Sequence, residues 1–118
     1  MSEGVARSWA ATLQGFWSWQ MEAACRSVDT TLFYSPEGER GPRKTRRELA
    51  AKQVCADCPV LEVCSTYAIA MREPYGTWGG LSEGERRALW TRLDPAQAKL
   101  DHRRAFGRWE RHAHARGA

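Results

Sequence analysis

No stretch of this sequence approaches the ~18 consecutive apolar residues that a membrane-spanning helix needs, so no membrane association is expected. Nor is an export signal expected. Residues 1–20 pair Arg7 with an acidic Glu3, and Thr12, Gln14 and Ser18 interrupt the apolar positions, unlike the continuous apolar centre of a signal peptide. A cytoplasmic protein is the expectation. Internal repeats and low-complexity tracts are absent too, which leaves one ordinary domain in 118 residues. Apolar material is scarce: hydrophobic residues make up 42% and mean hydropathy is −0.62. A core drawn from so little must be small and calls for a staple. Disorder is not the alternative, because disordered chains are poor in aromatics and this one has six tryptophans.

Cysteine is also sparse, at four residues, but the compartment gives those four a meaning. Disulfides do not persist in a reducing cytosol, so metal binding or redox chemistry is the better reading. The spacing is Cys25-x29-Cys55-x2-Cys58-x5-Cys64. Structural zinc usually takes two close cysteine pairs, whereas here only one exists. The wider gaps suit an iron–sulfur cube, whose four irons sit at separated corners. A structural zinc module with an interaction role stays open, as do four unligated thiols packed as small hydrophobes. Four thiolates on four irons leave no open coordination position, which suits sensing or electron transfer and not catalysis. No enzyme is therefore expected. The enzymatic rival is a thiol–disulfide reductase using Cys55 and Cys58, but that pair lies between helices and not after a strand in a βαβ unit.

Helical periodicity dominates the rest. Trp9, Leu13, Phe16, Trp17 and Met21 give an amphipathic first helix over Ser8–Ala24. Ser27–Pro42 is rich in turn formers and reads as a loop. A second helix covers Arg43–Val54, and Pro59 ends the connection after Cys58 and starts a third that runs to Met71. Glu73–Gly80 holds a proline and three glycines in eight residues, which predicts a tight turn around Trp78. Ser82 and Glu85 form a capping box for a fourth helix to about Leu93. Asp94, Pro95 and Gln97 repeat that logic for a fifth, ending near Ala113. The expected fold is all-α, a small bundle of four or five short helices packed around a four-cysteine cluster, with a Gly-Trp-Gly-Gly turn.

The combination of Cys25, Cys55-x2-Cys58-x5-Cys64 and Gly76-Thr77-Trp78-Gly79-Gly80 resembles the WhiB-like family of actinobacterial transcriptional regulators. Asp29-x2-Leu32-Phe33-Tyr34-x-Pro36-Glu37-Gly38-Glu39-Arg40-Gly41, with Glu73-Pro74-Tyr75, is similar to its WhiD subgroup. The likeness covers about residues 16–90. It implies one [4Fe–4S] cluster held by Cys25, Cys55, Cys58 and Cys64, attachment to the C-terminal domain of the principal sigma factor within RNA polymerase, and a response of the cluster to nitric oxide or oxygen. A disulfide in the cluster-free form is part of the same expectation. Thr77 stands where the family usually has Val or Ile, and Tyr34 where the subgroup often has Phe.

Trp78 reads either as a core residue closing the cluster pocket or as an anchor for a partner, since tryptophan is enriched at interface hot spots. Gly79 and Gly80 let another backbone come close. Trp17, Phe33 and Tyr34 would extend the same aromatic patch toward sigma, although core packing is the commoner fate for any one such ring. Charge is uneven along the chain: residues 1–81 hold nine Lys/Arg against nine Asp/Glu, and residues 82–118 hold nine against five. The chain therefore divides into a cluster domain, residues 1–93, and a basic, partly helical tail, residues 94–118. Arg104, Arg108 and Arg111 share one helical face, with Arg103 beside it, while His102, Phe106 and Trp109 share the other. That basic face would lie along the phosphates of promoter DNA, positioning without reading sequence. The minor-groove Arg-Gly-Arg-Pro hook of one subgroup is absent.

Overall fold

A computed structural model describes residues 18–117, the side chains of 114 and 116 excepted. Residues 18–20 are helical and the chain then turns, with the amides of Glu22 and Ala23 donating to the carbonyls of Trp19 and Gln20 at 3.1 Å. The expected first helix thus stops short of Ala24, and its earlier part, Trp17 included, lies outside the described residues. Ala24–Ser27 forms a separate 3-10 turn. The loop that follows contains a second one, Thr30–Leu32, which Asp29 caps by accepting from the Thr31 amide.

Helix α1 (Gly41–Ala56) begins two residues before the expected Arg43. Gly41 has φ +64°, a conformation costly for any residue with a Cβ, and Pro42 fits the first turn behind it. Helix α2 (Leu61–Ala70) begins two residues later than Pro59. Residues 57–60 make a turn instead, with Cys58 N–H donating to the Cys55 carbonyl at 2.9 Å. At its far end Arg72 takes φ +50°, and the amides of Glu73 and Arg72 close back on the carbonyls of Ala68 and Ile69 at 2.9 and 3.2 Å. This is the Schellman stop, here made by an arginine where glycine is usual.

Helix α3 (Glu83–Trp90) carries the expected capping box between Ser82 and Glu85. Helix α4 (Pro95–Gly117) starts where Asp94 accepts from the Gln97 amide at 3.1 Å and runs four residues beyond Ala113. The all-α expectation holds in the described residues, whose one extended pairing is an isolated bridge between Trp78 and Leu81.

Two apolar clusters organise these elements. Trp19, Val60, Val63 and Ala105 form the first, with Tyr67, Phe106 and Trp109 packed around them. Phe33, Ala51 and Cys55 form the second, with Leu32 and Leu61 against it. The segment expected as a tail thus supplies Ala105 to the core, and α4 packs chiefly along α2. Cys58 and Cys64 border the first cluster and Cys55 belongs to the second, so three of the four cysteines are part of the apolar packing.

Candidate metal centre

Each cysteine is delivered by a different local device. Cys25 sits in the 3-10 turn Ala24–Ser27, Cys55 in the last turn of α1, Cys58 in the connection and Cys64 in the first turn of α2. The Ala24 amide donates to Cys58 Sγ at 3.4 Å, tying the turn that bears Cys25 to the connection. Cys25 is exposed, Cys55 buried, and Cys58 and Cys64 half-buried.

The four thiols share one electrostatic neighbourhood. Burial raises the pKa of Cys64 strongly, and Cys55, Cys25 and Cys58 add to the rise. Cys55 is raised by burial, with further contributions from Cys58 and Cys25. Cys25 is raised by burial and then by Cys58. Among the described residues, no three His, Cys, Asp or Glu side chains stand close enough to hold a single metal ion. The sulfurs are therefore near enough to sense one another and are not gathered on one point. A soft, all-thiol donor set of this kind fits a metal–sulfur group.

The same environment weighs against a reductase. A reactive Cys-x-x-Cys thiol has a depressed pKa, often at a helix N-terminus. Cys55 lies instead at a helix C-terminal end, buried, with its pKa raised.

The turn lies directly against the sulfurs. A Cβ on Gly79 would stand 2.3 Å from the Ser65 amide nitrogen, so the backbone of the turn touches α2 one residue beyond Cys64. The backbone of Gly79 offsets part of the burial effect on Cys64, and that of Gly80 part of the effect on Cys55. Trp78 is half-buried: its ring lies 5.7 Å from that of Tyr67, and its Nε1 donates to the Tyr75 carbonyl at 3.0 Å. The side chain is thus packed on one side and open to solvent on the other.

The predicted aromatic patch divides. Phe33 is only 5% exposed, and its ring belongs to the second cluster. Of the two fates open to it, core and surface contact, the structure gives it the core, packed with Ala51 and Cys55. Tyr34 is 44% exposed and packs beside Gly76. Tyr75, not singled out from the sequence, is 71% exposed.

On α4, Arg103, Arg104, Arg108 and Arg111 are all exposed. Arg108 pairs with Glu62 of α2, so that charge is partly engaged by the protein. The opposite face docks as expected: Trp109 Nε1 donates to Glu22 Oε2 at 2.5 Å, and His102 stacks edge-on to Tyr67 at 5.6 Å.

Sequence reading missed the polar framework behind the turn. Arg86 has no exposed surface and Glu83 only 8%. The signal was present in the helical register, since Arg86 precedes Leu89 by three and Trp90 by four residues and so shares their inward face.

The family model described as Transcription factor WhiB matches residues 19–89. Transcriptional regulator WhiD of Streptomyces coelicolor is 57% identical over 76 residues, 64% of this chain and 68% of that protein. Redox-responsive transcriptional regulator WhiB3 of Mycolicibacterium smegmatis is 51% identical over 76 residues, covering 64% and 79%. The Redox- and pH-responsive transcriptional regulator WhiB3 of Mycobacterium tuberculosis is 51% identical over 73 residues, covering 62% and 72%.

Proposed function

The chain belongs to the WhiB family of transcription factors, and from that premise we propose that it is a redox- or gas-responsive regulator holding one [4Fe–4S] cluster through Cys25, Cys55, Cys58 and Cys64. The observation that carries this reading is the placement of four thiols from four local structures: Cys55 inside one small core, Cys58 and Cys64 against the other, and the turn bearing Cys25 tied to Cys58 by the Ala24 amide. The cluster supplies electron exchange and a target for nitric oxide or oxygen. The protein supplies the thiol donors, the apolar walls, an amide from Ala24 directed at the Cys58 sulfur, and the Gly79–Gly80 backbone packed beside Cys55 and the residue after Cys64. Cys25, the exposed ligand, marks the side on which a small diatomic meets least cover.

Tyr34, Trp78 and the Gly79–Gly80 backbone present the partner surface, and the partner is the C-terminal domain of the principal sigma factor. Arg103, Arg104 and Arg111, with Arg108 in part, face promoter DNA within that assembly. Anaerobic co-purification with that sigma domain, followed by iron and sulfide analysis, tests the reading. A brown complex with iron and sulfide in equal amounts is the expected result, and its visible absorption should bleach on exposure to nitric oxide. A colourless protein carrying zinc would overturn it in favour of the structural module. Trp78→Ala should weaken the sigma complex by about 2 kcal/mol, the scale of an interface hot spot, with cluster content unchanged.

A further inference from the structure

Arg86 has no exposed surface, and a buried guanidinium must find acceptors for a fixed fork of donors. Those it finds are main-chain carbonyls on both sides of the turn. Nε and Nη2 donate to the Glu73 carbonyl at 3.2 and 3.0 Å, Nη2 also to Tyr75 at 3.1 Å, and Nη1 to Leu81 at 2.8 Å. Glu83, one turn earlier on α3, accepts from the Gly76 amide at 3.1 Å. The Thr77 amide donates to the Phe33 carbonyl at 2.8 Å, fixing the turn's inner side. The chain from Glu73 to Leu81 is thereby closed into a loop around one side chain.

At the far side of that loop the backbone has almost no freedom. Gly79 has φ +56° and lies so close to Ser65 that a Cβ has no room. Gly80 approaches Cys55, where an added Cβ would stand 3.9 Å from the cysteine Cβ. The backbone of these two glycines is the part of the turn that lies beside Cys55 and beside Ser65, the residue after Cys64. Backbone dipoles and the exclusion of solvent beside ligating sulfur help set the potential of a metal–sulfur group.

We infer that Arg86 is a positioning residue of the metal centre: by holding the carbonyls of Glu73, Tyr75 and Leu81 it keeps the Gly79–Gly80 backbone packed against Cys55 and the residue after Cys64, and so helps set the reduction potential of the centre and the posture of Trp78 together. The inference rests on the cluster reading above for its redox part and on the geometry alone for its conformational part. One side chain that touches neither sulfur nor partner thereby links the state of the centre to the surface offered to sigma.

Arg86 also carries a charge that Cys64 senses, so the test must separate charge from wiring. Arg86→Gln removes both. Arg86→Lys keeps the charge but loses the fork that spans three carbonyls. Hydrogen exchange of the Gly79 and Gly80 amides should accelerate at least tenfold in both full-length variants, while Ala68 and Ala105 in the α2–α4 core keep their protection. The midpoint potential of the anaerobic holoprotein should shift in both, and in the same direction. Unaltered exchange at Gly79 and Gly80 would overturn the positioning role. A potential that shifts in Arg86→Gln and stays at the wild-type value in Arg86→Lys would assign the effect to charge and overturn it equally. Should Arg86→Gln fail to fold, Arg86→Lys decides alone, through both measurements. Failure of the cluster reading shows separately, as wild-type protein without iron whose glycine amides still respond to Arg86.

Discussion

Phe33 and Tyr34 are neighbours in sequence with opposite surroundings. The Phe33 ring is enclosed with Ala51 and Cys55, whereas Tyr34 leaves nearly half its surface in water. Phe33→Ala should therefore lower unfolding stability by about 3 kcal/mol, the lower end for a deleted core aromatic. Tyr34→Ala should cost less than half of that while weakening the sigma complex. Urea titration followed by circular dichroism separates the two, and equal losses would mean that both rings are core. Sequence alone could not divide the pair, because an aromatic dipeptide in a loop carries no periodicity to say which ring faces inward. Trp17, the third member of the expected patch, lies outside the described residues.

Among the elements, α4 has two faces with different duties. Inward, His102 lies against Tyr67 of α2, with Nδ1 3.2 Å from the Thr66 hydroxyl. Burial lowers its pKa below the ordinary 6.5, so the folded protein resists a proton that the unfolded chain accepts. The unfolded state then binds more protons below that pH, and stability must fall as pH drops. Thermal unfolding between pH 7 and 5, above the titration of ordinary carboxylates at ~4, should show this fall in the wild type and a flatter course in His102→Gln. An identical slope in the two proteins would remove His102 from the account. Outward, removing one arginine from a DNA phosphate should reduce the slope of log affinity against log salt by ~0.9. Single Ala substitutions at Arg103, Arg104 or Arg111 should approach that value in DNA binding of the sigma complex. Arg108→Ala should give a smaller change, since Glu62 already engages its charge. A salt slope untouched by all four would make the face simply solvated.

At the level of the whole molecule, the sulfurs and the core are one structure. Cys55 is itself a core residue, and Cys58 and Cys64 pack against the other apolar cluster. Replacing any one of the four cysteines by Ala should abolish stable cluster content, and chelation of the wild type should lower its melting temperature, because ligand binding energy is also folding energy. Cys25→Ala should leave the far-UV circular dichroism nearest to wild type, since Cys25 is exposed on a short 3-10 turn. Full iron content in that variant would reduce the ligand set to three.

Much of this was legible along the chain. The helices announced themselves through apolar spacing, the capping box at Ser82 and Glu85 and the Asp94-Pro95 start, because those signals act between residues three or four apart. The cysteine spacing and the glycine-flanked Trp78 were equally local. Other features required the packed molecule. The start of α2 at Leu61 instead of Pro59 reflects the turn formed by residues 57–60, and Arg72 holds a left-handed stop that its residue type disfavours. The burial of Phe33, the insertion of Ala105 into the core and the closing of residues 73–81 around Arg86 depend on surfaces up to 86 residues apart along the sequence, as Trp19 and Ala105 are in the first cluster. Local spacing fixes which residues share a helical face. Only the meeting of those faces decides which ring is covered and which charge is enclosed, because desolvation is a property of the assembled neighbours and not of the residue.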